Sequence, residues 1–235
     1  MMQSPDKPGD PRFQRDWMAW HGAYDEADSA LARRLCAVQG QIRQALDIAR
    51  PGRLRALSLC AGQGRDLIGA LTGHPRRGDV VGRLVELDPR NIAVAVAAAR
   101  TAGLTGIECV TGDASHTDAY AGAVPADLVL ACGVFGNITD TDIERTISLL
   151  PQLCAPEAWV IWTRNRIPPD ITPAICHWFE KYGFEQRWLS GCEQGDYGVG
   201  VHRFLGSPPP LERGVRMFTF VGYDVLRRGA PWPGG

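Results

Sequence analysis

Apolar residues recur at intervals of three and four through Leu31, Leu35, Val38, Ile42, Leu46 and Ala49, until Pro51-Gly52 breaks the run. That spacing predicts an amphipathic helix of about five turns, with Asp28-Ser29 as its N-cap. From Leu54 the pattern changes. Short apolar runs at 54–60, 80–87, 107–111, 127–131, 159–163 and 184–189 read as strands. Between them lie helical patterns at 65–71, from Pro89 to Arg100 behind an Asp88 cap, from Asp140 to Leu150, and from Thr172-Pro173 to Tyr182-Gly183. Either 199–205 or 217–223 supplies a closing strand, and the sequence FTFV within the second has the stronger β composition. Strands that alternate with helices predict an α/β fold: a doubly wound, mostly parallel sheet with helices on both faces.

The 235 residues are enough for one sizeable α/β core. Residues 1–12 carry three prolines and read as a disordered lead, 13–53 as an N-terminal helical and aromatic extension, 54–228 as the main domain, and 229–235 as a loose tail. In the extension Phe13, Trp17, Trp20, His21 and Tyr24 are too apolar to stay in solvent. The 25 basic and 26 acidic residues are well mixed, so the sequence shows no charge footprint for nucleic acid or an anionic membrane. The seven cysteines are scattered and never spaced CxxC, which argues against a disulfide framework and against a zinc site, and no metal is expected. No uncharged run reaches the length of a membrane span. The expectation is a soluble, cytoplasmic protein with a small-molecule substrate, for which a homodimer is one open arrangement.

In sheets of this kind ligands sit beyond the carboxyl ends of the strands, so the residues there carry the argument. After the first strand, Ala61-Gly62-Gln63-Gly64 lets the backbone turn sharply and approach a ligand; an ordinary tight turn is the alternative. At the end of the second stands Glu86, 22 positions after Gly64, about where a nucleotide fold places an acid on ribose hydroxyls. Asp88 is better explained as a helix cap. After the third, Gly112-Asp113-Ala114 offers a carboxylate to an adenine amine or forms an Asx-turn. After the fourth comes the glycine-flanked apolar loop Cys132-Gly133-Val134-Phe135-Gly136-Asn137. These features fall in the order in which an extended adenosine ligand would meet them.

At these residues the chain resembles the class I S-adenosylmethionine-dependent methyltransferases over roughly residues 54–184. The resemblance implies a Rossmann-like sheet of seven strands ending in an antiparallel pair. It further implies S-adenosylmethionine as cofactor, with S-adenosylhomocysteine as product. It places Cys60, Ala61, Gly62 and Gly64 beside the methionine part, Glu86 with Leu87 at the ribose, Asp113 and Ala114 at the adenine, and Cys132 and Gly133 at the reactive end. Ser58 stands where the family usually has an acid and Cys60 where it has a glycine, and both departures bear on contacts to the methionine amino group. The fourth-strand loop lacks the Asn/Asp-Pro-Pro-aromatic signature of enzymes that methylate amino groups of DNA and protein. A dinucleotide-binding domain would want a third glycine where Leu67 stands.

Methyl transfer from a sulfonium is an in-line displacement in which the protein mainly aligns the reactants and excludes water. A base is needed only for a hydroxyl or a protonated amine. Residues 13–53 are the candidate lid. His21 is a candidate base, Tyr24 a candidate for lining the methyl site, and Asn137 a third catalytic candidate; a hydrophobic clasp is the alternative for the aromatic cluster. His116, Asn137 and Arg164 follow successive strands and should face one opening, with His202-Arg203 a candidate to fold back over it. Two other functions stay open: S-adenosylmethionine chemistry without methyl transfer (aminocarboxypropyl transfer or donor cyclisation), and a non-enzymatic nucleoside-binding or scaffold protein.

Overall fold

The computed structural model of the chain describes residues 29–191 and 196–223, together with Tyr24, Glu26 and Leu226. The proposed lead and tail, Trp17, Trp20, His21 and Cys192 lie outside the described residues. Helix α1 (Ala30–Ile48) begins where Ser29 Oγ accepts the Ala32 N–H at 3.0 Å. It buries Val38, Ile42, Ala45 and Leu46, the face its apolar spacing marks out. No basic residue of its own closes its last turn. Arg76 does so from outside, donating to the carbonyls of Leu46, Ala49, Arg50 and Gly52 at 2.7 to 3.0 Å.

The remaining elements follow the alternating pattern: β1 (Leu54–Leu59), α2 (Arg65–Leu71), β2 (Val80–Glu86), α3 (Pro89–Thr101), β3 (Ile107–Thr111), β4 (Ala126–Ala131), α4 (Asp140–Leu149), β5 (Cys154–Asn165), α5 (Thr172–Lys181), β6 (Phe184–Leu189) and β7 (Tyr197–Phe204). Asp88 caps α3 as expected, accepting the Arg90 N–H at 2.8 Å. At α5 the capping differs: Thr172 is the first helical residue, and Asp170 Oδ1 accepts its N–H at 2.9 Å.

One sheet of seven strands has the order β3-β2-β1-β4-β5-β7-β6. The first five are parallel, and β7 runs antiparallel between β5 and β6. Apolar side chains fill both faces. One core joins α1, α2 and α3 to the sheet through residues such as Ile42, Leu67 and Ala95; the other joins α4 and α5 through Ile147, Phe179 and Trp162. The order reverses between β1 and β4, which opens a crevice beyond their carboxyl ends.

The closing strand corrects an expectation. It is Tyr197–Phe204, and the segment from Met217 to Tyr223 is not a strand. Gly200 lies opposite Trp162 in the β5–β7 register, and a Cβ there would come within 2.3 Å of the indole. Gly200, which lowers the β propensity of β7, therefore makes room for the largest side chain of the core. His202 in the same strand does not fold over the site. It is fully buried, its ring is stacked 4.2 Å from Phe179, and its Nδ1 accepts the Trp162 Nε1–H at 3.1 Å.

The segment from Val215 to Tyr223 binds loops instead of strands. Met217 and Phe218 are buried while Thr219 and Phe220 are exposed. The N–H of Met217 goes to the Ser115 carbonyl, that of Thr219 to the Asp142 carboxylate, and those of Val221 and Gly222 to the Asn137 carbonyl. It forms a strap across the carboxyl ends of β3 and β4.

Candidate active site

The turn after β1 is built by local hydrogen bonds. The Ala61 N–H reaches the Val85 carbonyl at 2.9 Å, and the Gly64 N–H closes on the Ala61 carbonyl at 2.8 Å. Gly64 has φ 67°, a left-handed conformation that favours glycine, and a Cβ there would press on the side-chain ends of Leu84 and Ile68 at 2.5 and 2.8 Å. Leu67, where a dinucleotide-binding turn would want its third glycine, is fully buried in the core.

Glu86 ties three strand ends together. Its Oε2 accepts the Gly62 N–H and its Oε1 the Asp88 N–H, each at 2.9 Å, while its carbonyl accepts the Gly112 N–H at 2.9 Å. Each carboxylate oxygen spends one lone pair on these bonds and keeps another for a ligand. The neighbouring Leu87 is 68% exposed, an apolar side chain presented at a strand end.

Asp113 forms the Asx-turn: its Oδ1 accepts the Ser115 N–H at 2.9 Å, and its Oδ2 lies 3.9 Å from the Arg216 guanidinium. Burial raises its pKa, but the Ser115 hydrogen bonds and the nearby His116 and Arg216 outweigh that, and the carboxyl titrates below its ordinary value. Ala114 is buried beneath it, its carbonyl accepting the Tyr120 hydroxyl at 2.7 Å. Cys60 adopts φ 48°. Burial, and then the charges of Glu86 and Asp113, push its thiol pKa up and leave it protonated at neutral pH.

After β4, Gly133 donates its N–H to Thr163 Oγ1 at 2.8 Å. The Cys132 thiol stands between two acceptors, the Ile161 carbonyl at 3.8 Å and the Asp66 carboxylate. Asn137 is buried with its amide engaged at both ends: Nδ2 donates to the Gly133 carbonyl at 2.7 Å and Oδ1 accepts the Tyr223 N–H at 2.9 Å. These bonds give it the geometry of a latch for the strap. His116 pairs with Arg216 in an isolated bridge, and Arg164 lies within electrostatic reach of Asp140 and Tyr223. Burial lowers the Arg164 pKa, and its Nε is enclosed without a hydrogen-bond partner. His116, Asn137 and Arg164 thus share one rim, which the strap follows.

Tyr24 approaches from the amino-terminal side. Its hydroxyl accepts from Arg34 on α1, and its ring lies 5.6 Å from the Arg65 guanidinium. Asp66 and Cys132 also act on it electrostatically. Two residues of this group, Arg34 and Asp66, escaped the sequence reading. The signal for Asp66 was an acid two positions after Gly64, which on its own reads as a helix-entry charge. Among the described residues no three His, Cys, Asp or Glu side chains gather as metal ligands, and no helix is long and apolar enough to cross a membrane.

The strand order, the glycine turn after β1 and the acid ending β2 define a Rossmann-like fold of the kind found in class I S-adenosylmethionine-dependent methyltransferases. Solved structures of such enzymes match it along most of the chain. An O-methyltransferase family protein from Burkholderia thailandensis superposes with a TM-score of 0.64 at 16% identity, covering 84% of this chain and 63% of that one. The CurJ carbon methyltransferase gives 0.62 at 15% identity, covering 80% and 58%. Magnesium protoporphyrin IX methyltransferase from Synechocystis, crystallised with S-adenosylmethionine, gives 0.58 at 12% identity, covering 74% and 80%. The chain therefore spans less than two thirds of the first two proteins. No protein-family model matches the sequence, and no curated protein matches it.

Proposed function

We propose that the chain is an S-adenosylmethionine-dependent methyltransferase acting on a small-molecule acceptor. The observation that carries this is Glu86, whose carboxylate is fixed by the Gly62 and Asp88 amides at the carboxyl end of β2 with lone pairs to spare. Two vicinal ribose hydroxyls suit such a carboxylate, because charge-assisted hydrogen bonds are the strong ones. Leu87 offers an apolar surface to the nucleoside, and the Asp113 carboxylate lies where an exocyclic amine would be received. Cys60, Ala61, Gly62 and Gly64, with Cys132 and Gly133, would border the amino-acid arm and the sulfonium. Ala114 shapes the floor below the adenine.

The donor, when bound, supplies an electrophilic methyl on a positively charged sulfur. The chain then needs to align an acceptor with that methyl and keep water away. Tyr24, beside the Arg65 guanidinium, is placed to cover the methionine end. Asn137 acts by holding the strap over the β4 loop, a positioning role. Arg164 lines the acceptor side. The named activities of the similar structures, O-methyl and carbon methyl transfer among them, support the reaction class and leave the acceptor atom open.

The test is a screen of small-molecule acceptors with methyl-labelled S-adenosylmethionine, read by mass spectrometry. Formation of S-adenosylhomocysteine with a labelled acceptor supports the reading. Methylthioadenosine as the nucleoside product would indicate arm transfer or cyclisation instead.

A further inference from the structure

The amino-acid arm of the proposed donor ends in a carboxylate and an ammonium, and a buried ammonium needs an anionic partner. Ser58, at the strand position where the resemblance leads one to expect an acid, is only 1% exposed and carries no charge. Another acid stands in the helix that follows the glycine turn. Asp66 is in the first turn of α2, its Oδ1 accepting the Leu67 N–H at 2.9 Å. The Cys132 thiol, from the loop after β4, donates to the same carboxylate. One side chain thus joins the loops that follow β1 and β4, the adjacent strands between which the sheet order reverses. Tyr24 and Arg34 stand over it from the amino-terminal side.

At Asp66 burial outweighs the charge that reaches it. Burial raises its pKa, and the amide hydrogen bonds, Arg34 and the Cys132 thiol together do not restore it. A cation arriving at this carboxylate would relieve that cost. Cys60 offers no anion to an ammonium, since its thiol is neutral, and Glu86 belongs to the ribose in the donor reading.

We propose, resting on the donor reading above, that Asp66 receives the α-ammonium of the donor's amino-acid arm. The charge that is absent at Ser58 is then supplied eight residues later, across the glycine turn. Asp66 is a binding residue in this scheme and takes no part in moving the methyl group.

Calorimetry with two nucleosides tests the assignment without turnover. S-adenosylhomocysteine carries the arm, and 5′-methylthioadenosine lacks it. In Asp66→Asn the side-chain oxygen can still accept the Leu67 N–H, while the charge is gone. S-adenosylhomocysteine should bind about tenfold more weakly to this variant, with methylthioadenosine changed less than about twofold. Equal losses on both ligands, or no loss on S-adenosylhomocysteine, would overturn the proposal while leaving the donor reading intact. A wild-type protein that binds neither nucleoside would overturn both. Should Asp66→Asn lose its folded circular-dichroism spectrum, the wild type is titrated with the desamino analogue of S-adenosylhomocysteine. An analogue that binds within about twofold of the parent would then refute an anionic site for the ammonium.

Discussion

His202 should make the fold sensitive to mild acid. Its imidazole is fully buried against Phe179, and its Nδ1 accepts the indole proton of Trp162, so the neutral tautomer carries its hydrogen on Nε2. A second proton would have to go on Nδ1, breaking that bond and placing a charge among aromatic rings. Burial accordingly lowers the pKa to about 3. In the unfolded chain the same group titrates near its ordinary value of about 6.5. Between these values the unfolded state binds more protons than the folded one, so stability from this group is full above about pH 6.5 and declines as the pH falls toward 3. The slope approaches about 1.4 kcal/mol per pH unit, and the loss at pH 5 is about 2 kcal/mol. In His202→Gln the amide oxygen can still accept from Trp162, and nothing there titrates. Urea unfolding of both proteins at pH 7 and pH 5 isolates the effect from that of the carboxylates, which both retain. The wild type should lose about 2 kcal/mol more than the variant over this interval. Equal losses would refute a buried neutral imidazole.

Three further substitutions test the framework. Arg76→Ala removes the donor to four carbonyls at the end of α1 and should cost about 2 kcal/mol in urea unfolding, with S-adenosylhomocysteine affinity unchanged in calorimetry. Gly200→Ala forces a methyl against the Trp162 indole and should lower stability by about 1–3 kcal/mol, seen as a fall in Tm. Asn137→Ala releases the Tyr223 amide, which should exchange with deuterium faster, while amides in the central strands β1 and β4 keep their protection.

Legibility in the sequence followed the physics of each position. Helix starts at Ser29 and Asp88 were legible because a side-chain oxygen beside a helical pattern has one main use. Glu86 was legible because its spacing from the glycine turn is set by the length of one helix and one strand. The closing strand was hidden because Gly198 and Gly200 lower its propensity, and the reason for Gly200 is Trp162, distant in sequence. Met217 and Phe218 read as strand because they are apolar; they are buried, but as part of a strap held by Ser115, Asp142 and Asn137. Local patterns carry no information on such long-range partners. For the same reason Asn137 looked available for chemistry, while both ends of its amide meet backbone groups.

Asp66 shows the same limit at the site itself. An acid in a first helical turn has an ordinary electrostatic explanation, and only the approach of Cys132, Tyr24 and Arg34 gives it another. The residues that hold the turn after β1 and the acid of β2 were visible in the chain, whereas the surroundings of the proposed methionine end depend on segments that meet only in the folded protein.

The most direct test of the account is calorimetry of S-adenosylhomocysteine with the wild type and with Glu86→Ala. A charge-assisted hydrogen bond to ribose contributes roughly 1.5 kcal/mol or more, so affinity should fall by about tenfold or further. A fall of less than about threefold, or a wild type that does not bind the nucleoside, would contradict the placement of the donor at the carboxyl end of β2.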